Sequence, residues 1–186
     1  MQNNNINKYI EKKLKEISKK EQIREIVNVE RGINNNVFIK NRNIVSFSCN
    51  DYLSLSLNKQ VIHEATNATK KYGVGAGASR LITGNNTLYS KLEKSITNLK
   101  KVEASCVFGS GFLANIGVIS VLMNKGDLIL IDELSHASTF LGAKLSKAFV
   151  VKFKHNDVVD LEKKLKKFRK LYKKSLVLTE GVFSMD

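Results

Sequence analysis

The chain has 186 residues, 42% of them hydrophobic and 26% charged, a composition that excludes wholesale disorder and suits a soluble globular protein. A chain of this length buries roughly 70% of its unfolded surface, enough for one domain or one domain with a small appendage. The formal charge of +14, from 31 Lys+Arg against 17 Asp+Glu, would in isolation point to nucleic acid or an acidic membrane. Its placement argues against both, because the lysines concentrate in Lys8–Lys20 and Lys163–Lys174, between apolar residues at helical spacing and without a nucleic-acid-binding motif. Phosphorylated small molecules would still be attracted.

The N-terminal MQNNNINKYIEKKLK lacks the apolar core of a signal peptide, and no apolar run approaches the roughly 18 residues of a membrane span. Cys49 and Cys106 lie far apart without CxxC spacing, so neither a disulfide framework nor a metal site is expected. The expectation is a cytoplasmic protein with no membrane and no nucleic-acid partner.

In chain order, Ile6, Ile10, Leu14 and Ile17 form one apolar stripe on a charged helix, an arm that docks. VFIK (37–40) and IVSFS (44–48), separated by Asn41, Arg42 and Asn43, form a small hairpin. From about residue 60 helices and strands alternate. Helices are expected over 60–71 and 88–100. Strand 104–108 leads to a helix near 112–124, strand 128–132 to one near 136–146, and strand 149–153 to one near 157–173. Strand 175–180 closes the series. Nearly all-apolar strands between helices indicate a parallel-rich sheet buried on both faces, an α/β domain. The division expected is an N-terminal arm and hairpin over 1–59 and the first part of a larger domain over 60–186.

In such a sheet ligands gather at the carboxyl ends of the strands. Gly109-Ser110-Gly111-Phe112 follows strand 104–108 and opens a helix. Glycines there let the backbone approach an anion, and the helix N-terminus offers unpaired N–H groups and positive dipole charge to a phosphate. His136 follows strand 128–132, and Glu180 and Ser184 lie at and after the end of strand 175–180. Two patterns are decoys. Gly73-x-Gly75-x-x-Ala78 fits the loose dinucleotide fingerprint but follows a helix-like segment instead of a strand. Ser135 and Ser138 beside His136 lack the nucleophile elbow of a hydrolase.

Six strings recur in a fixed order: NDYLSL (50–55), GAGASRLITG (75–84), SGFLAN (110–115), DELSHAS (132–138), KFKHND (152–157) and TEGVFSMD (179–186). Together they resemble the α-oxoamine synthases, pyridoxal-phosphate (PLP) enzymes that join an amino acid to an acyl-CoA. The likeness is closest to the branch that condenses L-alanine with pimeloyl-CoA in biotin synthesis. The resemblance implies the aspartate-aminotransferase-like fold (fold type I of PLP enzymes), with only part of the large domain present, and a homodimer.

It also implies roles. The backbone at Gly111 and Phe112 would bind the PLP phosphate. His136 would stack on the pyridine ring and place the amino acid, as the catalytic histidine. Ser184 would donate to the phenolic oxygen, and Glu180 would orient the loop from behind. Arg24 in EQIRE and Asn50 in NDYL match substrate-facing positions. His155 would form a structural turn, with Asn156 and Asp157 capping the next helix.

The likeness covers about the first half of the family's usual length, so the Schiff-base lysine would fall after Asp186. Ser146-Lys147-Ala148 imitates its motif without the expected glycine. The expectation is therefore a chain that is inactive alone, completed by a C-terminal half if the gene is split. Glycine with succinyl- or acetyl-CoA, or serine with palmitoyl-CoA, remain open as substrates. A non-catalytic remnant and, on the Gly73 cluster alone, a nucleotide-binding module are the rival classes.

Overall fold

A computed structural model describes residues 4–32 and 35–184. Met185 and Asp186 of the last motif lie outside the described residues. The chain divides into two compact units, Met1–Gly75 and Ala76–Asp186.

The first unit opens with helix α1 (Asn4–Lys19), whose stripe residues Ile6, Ile10, Leu14 and Ile17 are all exposed. Three short antiparallel strands follow: β1 (Glu30–Arg31), β2 (Asn36–Ile39) and β3 (Arg42–Val45). The hairpin turn is Lys40-Asn41, with both residues left-handed (φ 48° and 61°). That is the two-residue geometry whose twist matches paired strands. The turn thus lies earlier than the spacing of apolar residues suggests, and Arg42 and Asn43 belong to β3, opposite Ile39 and Phe38. After β3, Asp51 takes an ion pair from Arg31 (2.9 Å) and the N–H of Leu55 (3.0 Å), ordering the turn before a short 3₁₀ helix, Leu55–Leu57. Asn58 caps helix α2 (Lys59–Tyr72) by accepting from Gln60 and Val61, and Gly73 ends it at φ 78°. Gly73 is therefore a helix terminus, and the dinucleotide fingerprint has no strand before it.

The second unit is a three-stranded parallel sheet in the order β5-β4-β6, built from β4 (Leu128–Asp132), β5 (Phe149–Phe153) and β6 (Ser175–Leu178). All five residues of β4 are buried because helices cover both faces. Ile129 and Ile131 face α4 (Gly111–Leu122) and α5 (Ala137–Leu145), packing with Ile119, Met123 and Ala143. Leu128 and Leu130 face the other way, with Phe153 and with Leu161 and Leu165 of α6 (Val158–Phe168). Each of these four β4 side chains is worth about 1.5–3 kcal/mol on burial. Gly142 of α5 makes the α4–α5 crossing possible, since a Cβ there would lie 2.9 Å from the Asn115 carbonyl and 3.1 Å from Ile119 Cβ.

Three expectations need correction. The helix expected over 157–173 stops at Phe168 and tightens into a 3₁₀ turn, Arg169–Leu171. Strand 175–180 ends at Leu178, which frees Glu180 for the following loop. Residues 104–108 form no strand, although their composition favours one. Val107 instead has both backbone groups taken by side chains: its N–H donates to Glu93 Oε1 (2.9 Å), and its carbonyl accepts from Arg80 Nη1 (3.2 Å). Glu93 lies on α3 (Thr87–Lys100), and Arg80 grips the same carboxylate through both terminal nitrogens, Nη1 (2.8 Å) and Nη2 (3.2 Å). Among the described residues no helix is long and apolar enough to cross a membrane.

Candidate active site

The carboxyl end of β4 and the N-termini of α4 and α5 converge on His136. Ser110, in an extended conformation, caps α4 by accepting the N–H of Leu113 (3.1 Å). The N–H groups of Gly111 and Phe112 point out of the open end with no partner among the described residues. That pair, on a helix N-terminus, is a donor set for an oxyanion. The Arg80–Glu93 clamp holds Val107 two residues before Gly109 and so fixes where this turn begins. The same contact, first through hydrogen bonding to Arg80, keeps the Glu93 carboxyl below its ordinary pKa.

His136 is the N-cap of α5. Its Nδ1 receives the Ser138 N–H (3.2 Å) and lies 2.7 Å from Ser138 Oγ, which in turn receives Asn115 Nδ2 of α4 (2.9 Å). Ser138 is fully buried, whereas the imidazole is exposed. The ring of Phe112 meets it edge-on, with centroids 6.4 Å apart at 85°. From the loop after β6, the half-buried Glu180 carboxylate accepts the His136 backbone N–H. Phe112, His136 and Glu180 are thus brought together from three separate elements. Ser135 Oγ, next to them in sequence, is buried with no partner among the described residues.

Beneath this loop lies Asp132, the last residue of β4, wholly buried. Burial works against its ionisation. The N–H groups of Asn156 (3.0 Å) and Leu134 (2.9 Å) and the His155 imidazole (2.9 Å) outweigh that cost, so its pKa falls below the ordinary carboxylate value. His155 therefore presents a proton on Nδ1 to Asp132, and its other nitrogen lies 3.0 Å from Asn156 Nδ2. Phe183 packs edge-on against His155 with centroids 4.5 Å apart, seating the segment that carries Glu180 and Ser184. Ser184 is exposed. Asp157 caps α6 through the N–H of Asp160 (2.8 Å).

Lys147 lies at the other end of the sheet. It precedes β5, in a left-handed turn (φ 60°), while His136 follows β4. A strand of this length separates the two ends by about 16 Å. Arg24 and Asn50 belong to the first unit: Arg24 is exposed in the irregular segment between α1 and β1, and Asn50 is exposed beside Asp51. Asp132, Asn115, Arg80 and Glu93 carry much of the local bonding without having been singled out from sequence. Asn115 and Asp132 end and begin two of the six motif strings, which is the one signal that marks them.

A parallel α/β sheet with helix N-termini and a post-strand loop gathered at its carboxyl edge is a ligand-binding arrangement common to α/β folds, and the likeness to solved structures makes this one a type I PLP-transferase fold. The chain belongs to the aminotransferase class I and II family, whose profile matches residues 42–186. It is 51% identical over 150 residues to the 8-amino-7-oxononanoate synthase of Beijerinckia indica, a match covering 81% of this chain and 39% of that protein. Among solved structures it resembles the 8-amino-7-oxononanoate synthase of Francisella tularensis, with 31% identity, TM-score 0.59, and 74% of this chain against 37% of that one. It also resembles a serine palmitoyltransferase of S. paucimobilis with PLP and myriocin bound, with 26% identity and TM-score 0.82, over 94% of this chain and 44% of that one. The chain spans about two fifths of the length of the curated relatives it matches, 39% in the Beijerinckia case.

Proposed function

We propose that this chain forms the first part of an 8-amino-7-oxononanoate synthase, a PLP-dependent enzyme that condenses L-alanine with pimeloyl-CoA and releases CoA and carbon dioxide. The observation that carries the reading is the convergence of Phe112, His136 and Glu180 at the carboxyl end of β4, in a chain half identical to synthases of that name.

The residues fit PLP. The unpaired N–H groups of Gly111 and Phe112 suit a phosphate dianion, and the exposed His136 imidazole, next in sequence to the orphaned Ser135 hydroxyl, offers a flat face to a pyridine. When bound, PLP withdraws electron density from the α-carbon of the amino acid. Gly111 and Phe112 hold the phosphate, and His136 covers the ring and places the amino acid. Ser184 donates to the phenolic oxygen, and Glu180 keeps the His136 backbone in position. Arg24 and Asn50 meet the substrates. Covalent attachment of the cofactor falls to a lysine in the part of the synthase that follows the matched length, with Lys147 taking no part. The assembled enzyme is a cytoplasmic homodimer.

The test is thiol release from pimeloyl-CoA, followed with L-alanine, glycine and L-serine in parallel. The chain is assayed alone and co-expressed with the remaining C-terminal length of the Beijerinckia relative. Turnover with L-alanine only in the co-expressed sample, lost in His136→Ala, is the expected result. Preference for glycine or serine with another acyl-CoA overturns the substrate assignment, and unchanged turnover in His136→Ala overturns the site.

A further inference from the structure

Asn115, Ser138 and His136 form one hydrogen-bond chain that runs from α4 into the N-cap of α5. Its direction follows from the one member that has no choice. The Ser138 backbone N–H can only donate, and it is aimed at His136 Nδ1 from 3.2 Å. Nδ1 must therefore present a lone pair. Ser138 Oγ, 2.7 Å from the same nitrogen, must then turn its own proton toward the ring. With that proton committed, the hydroxyl oxygen is left as an acceptor, and Asn115 Nδ2 fills the vacancy at 2.9 Å. The reverse arrangement would set a ring N–H against the Ser138 backbone N–H and leave a buried amide at the helix start unsatisfied.

We propose that Asn115 and Ser138 are positioning residues that lock the neutral His136 ring as its Nε2–H tautomer. The lock leaves Nε2 as the ring's only donor, free to meet an oxygen acceptor on a bound ligand, and it holds the imidazole plane against rotation about its Cβ–Cγ bond. The inference rests on the reading of His136 as the residue that faces the ligand. His155, bonded to the last residue of β4, has the opposite assignment, with its proton on Nδ1 toward Asp132. Two histidines of one unit thus carry their protons on different nitrogens because their neighbours differ: a carboxylate for one, a helix N–H for the other.

The tautomers are read directly by long-range proton–nitrogen NMR of ¹⁵N-histidine-labelled protein in alkaline buffer. His136→Gln assigns the signals. The expected spectrum shows His136 protonated on Nε2 alone and His155 on Nδ1. Asn115→Asp, nearly isosteric, replaces the donor facing Ser138 Oγ with an acceptor and draws the hydroxyl proton away from the ring. The Nδ1–H population of His136 should then rise by about tenfold, the value of one hydrogen bond.

A wild-type His136 protonated on Nδ1, or an even mixture, overturns the proposal. So does a folded Asn115→Asp protein with an unchanged tautomer. If that variant does not fold, the wild-type spectrum decides alone. Adding PLP separates the two readings: a His136 ring that is locked as stated but unmoved by PLP overturns the cofactor site and leaves the lock standing.

Discussion

The carboxylate of Glu180 accepts the backbone N–H of His136 from 44 residues further along the chain. The contact ties the loop after β6 to the start of α5 and so joins the two loops that flank the site. A hydrogen bond to a charged acceptor is worth about 1.5–3 kcal/mol, and less at an exposed contact such as this, where water can replace the acceptor. Glu180→Ala should weaken PLP binding by up to about tenfold on that scale. Glu180→Gln keeps an acceptor oxygen and should recover most of the loss. Fluorescence titration with PLP orders the three proteins, and equal affinities would remove Glu180 from the site.

Asp132 makes acid stability a second readout. Its folded-state pKa lies below the ordinary 3.8, so its contribution is fully present above that value and is lost as pH falls through the lower, folded one. Wild-type protein should lose stability steeply below about pH 4. Asp132→Asn should lose on the order of 2–3 kcal/mol at neutral pH, through the weakened bonds to Asn156, Leu134 and His155. It should also show a shallower acid slope. Urea unfolding measured across pH checks both, and a slope that persists in the variant would assign the titration elsewhere.

Gly142→Ala tests the crossing on which the His136 chain depends. The added methyl would press on the Asn115 carbonyl at 2.9 Å and on Ile119. Overpacking of this kind costs about 1–3 kcal/mol. The stress falls where Asn115 reaches Ser138, so PLP affinity should fall with the melting temperature. A variant as stable as wild type would mean that α5 slides freely on α4.

Borohydride reduction after mixing with PLP should leave no stoichiometric adduct at Lys147, because that lysine and His136 occupy opposite ends of the sheet. Peptide mapping reads this result, and a specific adduct at Lys147 would overturn the placement of the cofactor.

The α/β architecture is legible from sequence where burial dictates it. LILID reads as a buried parallel strand because four consecutive apolar residues need helices on both faces, and β4 has them. Residues 104–108 carry the same apolar, β-prone letters but form no strand, because a strand is a relation between segments and Arg80 and Glu93 take the place of a neighbour. Boundaries shifted where backbone chemistry decided: the left-handed Lys40 and Asn41 set the hairpin turn, and β6 stops before Glu180. The site is legible as positions in motif strings and illegible as connections. Nothing local to His136 announces that Asn115, on the preceding helix, anchors its hydroxyl partner, or that Glu180 holds its backbone.

The clamp on Val107 also makes its segment one-sided. In extended chain the N–H and carbonyl of a residue leave toward the same side, and the next residue points to the other. Arg80 and Glu93 therefore plug the side to which Val107 turns, like a cover screwed over half of a socket. A strand seeking to join residues 105–108 finds that approach closed and can dock only from the side of Cys106 and Phe108. An ion pair between a loop and a helix thus acts as a keyway, deciding from which side another segment can reach these residues.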